Sequence, residues 1–210
     1  MPAELDSLLQ RPLAWEAPVP TLLAAIRRWI STTKPSCPLH PHGFHVLLLK
    51  RSEGEEWRLH LWPSTVRQST GMPARIHTHD RHVESRILKG SLLNLDYLPT
   101  TTNEHGHPLY SVTYAGDRYV GDTSNVLQNT GERITLTPTG RRQYGIGDHY
   151  RLERHTYHEA VVPEQQATIT LVCMHSRDPG PIMVVGLDGY PQQVRFERTK
   201  NEASIFLENL

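Results

Sequence analysis

The chain has 210 residues, and its 22 Lys plus Arg balance its 22 Asp plus Glu, so the net charge at pH 7 is zero. This length is enough for one domain with a sizeable core. The balanced charge and scattered basic residues do not indicate a basic surface of the kind that binds nucleic acid, so no nucleic-acid partner is expected. Two cysteines form no disulfide framework, which indicates a reducing compartment. No apolar run approaches the roughly 20 residues that a membrane helix needs, and the N-terminus does not show the basic and apolar segments of a signal peptide. We therefore expect a cytoplasmic protein without a membrane partner.

The N-terminal part of the chain predicts a helix. Apolar residues recur at helical spacing between Thr21 and Thr33. Pro20 suits a helix start, and Pro35 disfavours helix in the residue before it. We therefore expect a helical extension over residues 1–40.

From residue 41 the pattern changes to short apolar runs separated by turn signals, which is typical of β-strands. The predicted strands are Phe44–Lys50, Trp57–Trp62, Arg75–His79, Arg86–Leu98, Leu109–Tyr114, Arg133–Thr137, His149–Arg154, Ala167–His175, Ile182–Val185 and Gln193–Arg198. Strands at this spacing predict an all-β sandwich or barrel over residues 41–200. The remaining tail, 201–210, forms a short helix or an edge strand.

Two histidines one residue apart, His77 and His79, lie in the predicted strand Arg75–His79. Side chains at i and i+2 of a strand point to the same face, so both imidazoles are expected to reach one metal ion. A third histidine, His158, follows a Gly147-Asp148 turn by eleven residues. The three form a predicted metal site.

In these residues the chain resembles the cupin superfamily. Gly71, His77, His79 and Gly90 fall on the first motif of that family, and His158 falls on the second. The resemblance implies a double-stranded β-helix, or jelly-roll, barrel that follows the N-terminal helical extension. It also implies a homodimer, because cupins often pair through edge strands.

The glutamate of the first motif leaves two alternatives for Glu84. The residue fits the count forward from His79 but stands one position late relative to Gly90. One residue changes the face of a strand, so Glu84 is either a fourth ligand placed by a local bulge or a carboxylate that points away from the metal. In the second case the ligands are His77, His79 and His158 alone.

A three-histidine site is similar to that of the thiol dioxygenases, the branch of the cupins that includes cysteine dioxygenase. That branch also has an N-terminal helical segment and a hairpin that ends in a tryptophan, as Phe44–Lys50 and Trp57–Trp62 do here. Its Ser-x-His-x-Tyr strand has only a poor counterpart in Cys173-Met174-His175-Ser176. The resemblance therefore implies the chemistry of a thiol dioxygenase but not which thiol is the substrate.

Three residues near the predicted ligands are candidates for catalysis. Arg75 alternates in phase with His77 and His79, so it is expected to face the same cavity and to pair with a substrate carboxylate. Tyr157 and His155 flank the third ligand and are candidate acid–base or orienting groups. Strand parity is the basis for all three.

Other histidines are predicted to lie outside the site. In His40-Pro41-His42 the proline breaks the strand pattern, so these residues are interpreted as a loop and a strand start. His82, His105 and His107 are expected in loops.

The sequence therefore predicts a mononuclear non-haem iron dioxygenase whose partners are O2 and a small polar molecule, such as a thiol or an amino acid. Fe(II) is the expected metal, with Zn, Ni or Mn as alternatives. A second hypothesis is a lyase, isomerase or hydrolase that uses one of those other metals. A third is a cupin that binds a small molecule without catalysis.

Overall fold

The structure is a computed structural model, and it describes residues 1–64, 75–103, 105–114, 124–197 and 200–210. The motif glycine Gly71 lies outside these ranges. No helix within them is long and apolar enough to cross a membrane.

Three helices open the chain: α1 (Ala3–Leu8), α2 (Leu13–Glu16) and α3 (Val19–Thr33). The helix predicted over Thr21–Thr33 is thus confirmed. It ends at Lys34, which has a left-handed φ of 44° and precedes Pro35. Leu22, Ile26 and Ile30 form the buried stripe that the spacing predicts.

Strands make up most of the rest, and every strand pair among the described residues is antiparallel. They are β1 (Ser36–Pro38), β2 (His45–Ser52), β3 (Glu55–Trp62), β4 (His82–Lys89), β5 (Leu92–Thr102), β6 (His107–Tyr114), β7 (Ser124–Tyr144), β8 (His149–Leu152), β9 (Tyr157–Val161), β10 (Thr168–His175), β11 (Ile182–Val185), β12 (Gln193–Glu197) and β13 (Lys200–Glu202). A fourth helix, α4, covers Ser204–Leu207.

The strands form two main sheets. One has the order β2-β3-β10-β4-β8, and the other has the order β11-β6-β7-β5-β9 with β12 paired to β7. A fold of antiparallel sheets confirms the all-β class, whereas the jelly-roll connection stays a prediction.

The first sheet is buried on both faces, as all eight residues of β10 show. One face packs on the N-terminal helices, where Ile26 of α3 shares a core with Trp57 and Leu171. The other face contributes Val46, Trp62 and Ile87 to a second core. The helices cover the outer face of this sheet, so its inner face is the one that can line a site.

The two ends of the chain meet beside this sheet. β1 pairs with β13, and Ser36 lies opposite Glu202. Phe206 of α4 is fully buried in the core that α3 and the first sheet share. The tail therefore contains both a strand and a short helix.

Several predicted elements differ from the structure. Arg133–Thr137 lies inside the much longer strand β7, and His82 and His107, predicted to lie in loops, are the first residues of β4 and β6. Arg86–Leu98 is interrupted at Gly90, whose φ is 74°, so that β4 ends at Lys89 and β5 begins at Leu92. Only glycine adopts this conformation without strain, and the turn reverses the chain.

Arg75–His79 is not a regular strand. It is joined to its neighbours by isolated bridges from His77 to His158 of β9 and to Val184 of β11. Since β9 and β11 are the two edges of the second sheet, the segment around His77 links both edges.

Candidate metal centre

The three predicted histidines converge in the structure. One ring nitrogen from each of His77, His79 and His158 lies within 4.8 Å of the others. The Nε2 atoms of His79 and His158 are 3.0 Å apart. Two isolated backbone hydrogen bonds, each 3.1 Å between N and O, join His77 to His158 and bring the distant parts of the chain together.

The tautomer of His158 is set by its neighbours. Asn94 donates from Nδ2 to the carboxylate Oδ1 of Asp96 at 2.7 Å, so Oδ1 of Asn94 is the atom that accepts from His158. The Nδ1 of His158 donates to that oxygen at 3.1 Å. The lone pair of its Nε2 then points to the cluster, as metal binding requires.

His77 is oriented in the same way by the backbone. Its Nδ1 lies 2.9 Å from the carbonyl oxygen of Arg75, and a carbonyl only accepts. Nδ1 therefore carries the proton, and Nε2 is left for a metal.

The spacing of the cluster suits an ion. Two nitrogens bound at right angles, each about 2.1 Å from one metal, lie about 3.0 Å apart, which matches the distance between His79 and His158. The donor set of imidazoles fits Fe(II), Zn, Ni or Cu. A three-histidine group able to hold a metal ion is thus present.

Burial keeps these imidazoles neutral. Desolvation lowers the pKa of His77. It lowers the pKa of His79 and His158 well below the usual value, and repulsion from His77 adds to the effect. Metal ions compete with protons for imidazole, so a low pKa favours metal binding at neutral pH.

Glu84 lies on the opposite face of its strand from the cavity. Val83 and Ser85, its neighbours in β4, line that cavity, and successive side chains alternate. The Glu84 carboxylate instead accepts from His175 at 2.8 Å and from Arg11 at 3.1 Å. Of the two alternatives for Glu84, the structure favours the carboxylate that points away.

A cavity of about 80 Å³ adjoins the three histidines. Its apolar wall includes Phe44, Trp62, Tyr150 and Leu152. A second cavity of about 50 Å³ also borders His77 and His79 and is lined by apolar residues such as Val112 and Ile182. The cluster is thus bordered by two mainly apolar chambers.

Sequence reasoning missed two residues of this site. His40 and His42 line both cavities, although Pro41 indicated a loop away from any site. The loop prediction is right, but the loop folds inward: His42 is only 8% exposed, and its ring centroid lies 4.7 Å from that of His77. The high local density of histidines was the available signal.

The three candidate catalytic residues separate in the structure. Arg75 lines the larger cavity. Tyr157 precedes His158 in β9 and packs on the other side, against Leu109 and Ile134. His155 pairs with Asp178 at 3.4 Å near the surface. Among the described residues, the cavity lining includes Arg75 but neither Tyr157 nor His155.

Comparisons with known proteins add little to this geometry. No family model matches the chain, and no curated protein matches it. Among solved structures, KdgF from Halomonas sp. is similar over 65% of this chain and 82% of its own, with 14% identity and a TM-score of 0.32. We draw nothing about activity from a similarity of this size.

Proposed function

We propose that the protein is a metal-dependent enzyme of the cupin type, specifically a mononuclear non-haem iron dioxygenase that acts on a small polar substrate such as a thiol or an amino acid. The observation that carries the proposal is the convergence of three oriented imidazoles, while Glu84 at the motif position of the fourth ligand is held by Arg11 and His175.

Three ligands on one side of an ion favour this chemistry over a closed structural site. Structural metal sites use four protein ligands and leave no open position. Fe(II) held by His77, His79 and His158 would supply adjacent coordination positions for a chelating substrate and for O2.

The protein's own residues would orient the ligands and shape the chamber. Asn94 holds the ring of His158, and the carbonyl of Arg75 holds that of His77. The apolar rings of Phe44 and Trp62 line the cavity and would disfavour water there. Arg75 lines the cavity, and we infer that its guanidinium would bind a substrate carboxylate there, as a substrate of the amino-acid type requires.

Metal analysis and oxygen uptake test the proposal. Protein purified anaerobically with iron supplied is expected to contain close to one Fe per chain, and to consume O2 when cysteine, cysteamine or other small thiols are added. Tightly bound zinc without O2 uptake would favour the lyase, isomerase or hydrolase hypothesis instead. If the protein contains no metal, and chelator does not change the shift in melting temperature that a ligand induces, the result would indicate a non-enzymatic binding domain.

A further inference from the structure

The segment Cys173–Ser176 has no role in the proposed metal chemistry, but its last two residues belong to a chain of three side chains. His175 ends β10, and its Nδ1 lies 3.0 Å from the hydroxyl oxygen of Ser176. Its Nε2 lies 2.8 Å from Oε1 of Glu84. Serine, imidazole and carboxylate therefore follow one another in the order that activates a serine nucleophile.

The carboxylate of Glu84 fixes the tautomer of His175. An ionised carboxylate only accepts, so the imidazole carries its proton on Nε2 and donates it to Glu84. Nδ1 is then the bare nitrogen, and it accepts the hydrogen bond of the Ser176 hydroxyl. The guanidinium of Arg11 lies 3.3 Å from the same Nε2, but it has no acceptor and donates to Oε1 of Glu84 at 3.1 Å.

The surroundings of His175 suit a group that takes up a proton during a reaction. Burial and the charge of Arg11 lower the pKa of His175, so the imidazole is neutral at pH 7 and able to accept a proton. The hydrogen bond and the charge of Glu84 act in the opposite direction. Glu84 therefore stabilises the imidazolium while the proton is held.

The serine differs from its two partners in exposure and in backbone conformation. Ser176 is exposed, whereas His175 and Glu84 are only 4% and 7% exposed. Its φ is 52°, a left-handed value that residues other than glycine seldom adopt and that is found most often at functional sites. The following turn is anchored, because the N–H of Asp178 donates to the carbonyl of Asp80 at 2.7 Å. A fixed surface hydroxyl thus rests on a buried base.

We propose that Ser176 is the nucleophile of a second active site, which cleaves carboxylic esters with His175 as general base and Glu84 as its positioning residue. The Ser176 oxygen attacks the ester carbonyl carbon, and its proton passes to Nδ1 of His175. The bond between the carbonyl carbon and the alcohol oxygen breaks, and the alcohol leaves with that proton. Water then attacks the acyl-serine and gives a proton to His175, which returns it to the Ser176 oxygen as the carboxylic acid is released.

Hydrolysis of p-nitrophenyl acetate at pH 7.5 tests this activity, with metal-loaded and chelator-treated protein compared side by side. Both forms are expected to release p-nitrophenolate at the same rate, at least about tenfold faster than Ser176→Ala, since a general base contributes about 10²–10⁴-fold. Mass spectrometry of acid-quenched samples is expected to find the acetyl group on Ser176. Ser31→Ala is the control, because the Ser31 hydroxyl is also exposed but donates to the backbone carbonyl of Arg27, and it is expected to keep the wild-type rate.

Glu84→Gln tests the positioning role, with thermal melting as the check that the variant is folded. The hydrolysis rate is expected to fall about tenfold, and NMR titration is expected to give a lower pKa for His175, since Glu84 raises it. An unchanged rate in folded Glu84→Gln would overturn the three-residue site.

Two further results would overturn the inference. One is wild-type protein that is not acetylated at Ser176 or reacts no faster than Ser176→Ala. The other is hydrolysis that chelator abolishes, which would place the reaction at the metal centre. Neither result bears on the proposed function, because that function is tested by metal content and O2 uptake.

Discussion

The imidazole of His158 donates a hydrogen bond from Nδ1 to the side-chain oxygen of Asn94, 3.1 Å away. Both residues are buried, at 5% and 2% exposure. The two belong to strands β9 and β5, which pair with Asn94 opposite Ala160 and Asp96 opposite His158. Sheet register therefore places a tautomer-fixing group beside a predicted ligand.

Asn94→Leu preserves volume but removes the acceptor, so His158 loses its orienting partner. We expect metal affinity to fall about 10–100-fold, the usual effect of losing such a partner. Competition with a chromophoric chelator measures the change. Asn103→Leu, at an exposed position, is the control, and equal affinities of the two variants would contradict the role given to Asn94.

Glu84→Gln is expected to lower the free energy of unfolding without removing the metal. The carboxylate is 7% exposed and pairs with Arg11 and His175. Loss of a buried charged partner costs about 1–3 kcal/mol. Urea unfolding and metal analysis of the same sample are the measurements, and loss of metal with unchanged stability would restore Glu84 as a ligand.

The contribution of Glu84 to stability is expected to depend on pH. Burial alone would raise its pKa, but hydrogen bonds from Arg11 and His175 outweigh burial and lower the pKa below the usual 4.5. A carboxylate with a lowered folded-state pKa stabilises above the unfolded pKa, and this stabilisation is lost as pH falls through the folded value. The stability difference between wild type and Glu84→Gln should therefore shrink from pH 5 to pH 3.5, and a difference that grows would contradict the pairing.

Gly90→Ala is expected to destabilise more than Gly54→Ala. Both glycines have positive φ, 74° and 86°, so both substitutions carry a conformational cost of about 1 kcal/mol. A Cβ on Gly90 would lie 2.7 Å from the carbonyl oxygen of Ala167, whereas one on Gly54 meets nothing within 4 Å. Thermal unfolding of both variants measures the steric part, and equal melting temperatures would contradict it.

The sequence was sufficient for the parts of the molecule that depend on local periodicity. The helix stripe of Ile26 and the one-residue spacing of His77 and His79 follow from side-chain geometry along one segment. The distant His158 was found because its turn and spacing match a family motif.

The rest depended on how segments pack. The motif spacing alone does not determine which way Glu84 points, because a shift of one position moves a side chain to the other face of its strand. The pairing of Glu84 with Cys173 in the β4–β10 ladder determines the direction of its side chain. Pro41 predicts a loop at His42, and tertiary packing directs that loop toward the cavity, which His42 lines. Tyr157 was placed beside His158 in sequence, and strand alternation puts it on the other face.

Metal content measured by mass spectrometry in four variants tests the central claim most directly. His77→Ala and His158→Ala are each expected to lose most of the bound metal, while His42→Ala and Glu84→Gln keep close to one ion per folded chain. Equal metal content in all four variants would contradict a centre built from His77, His79 and His158.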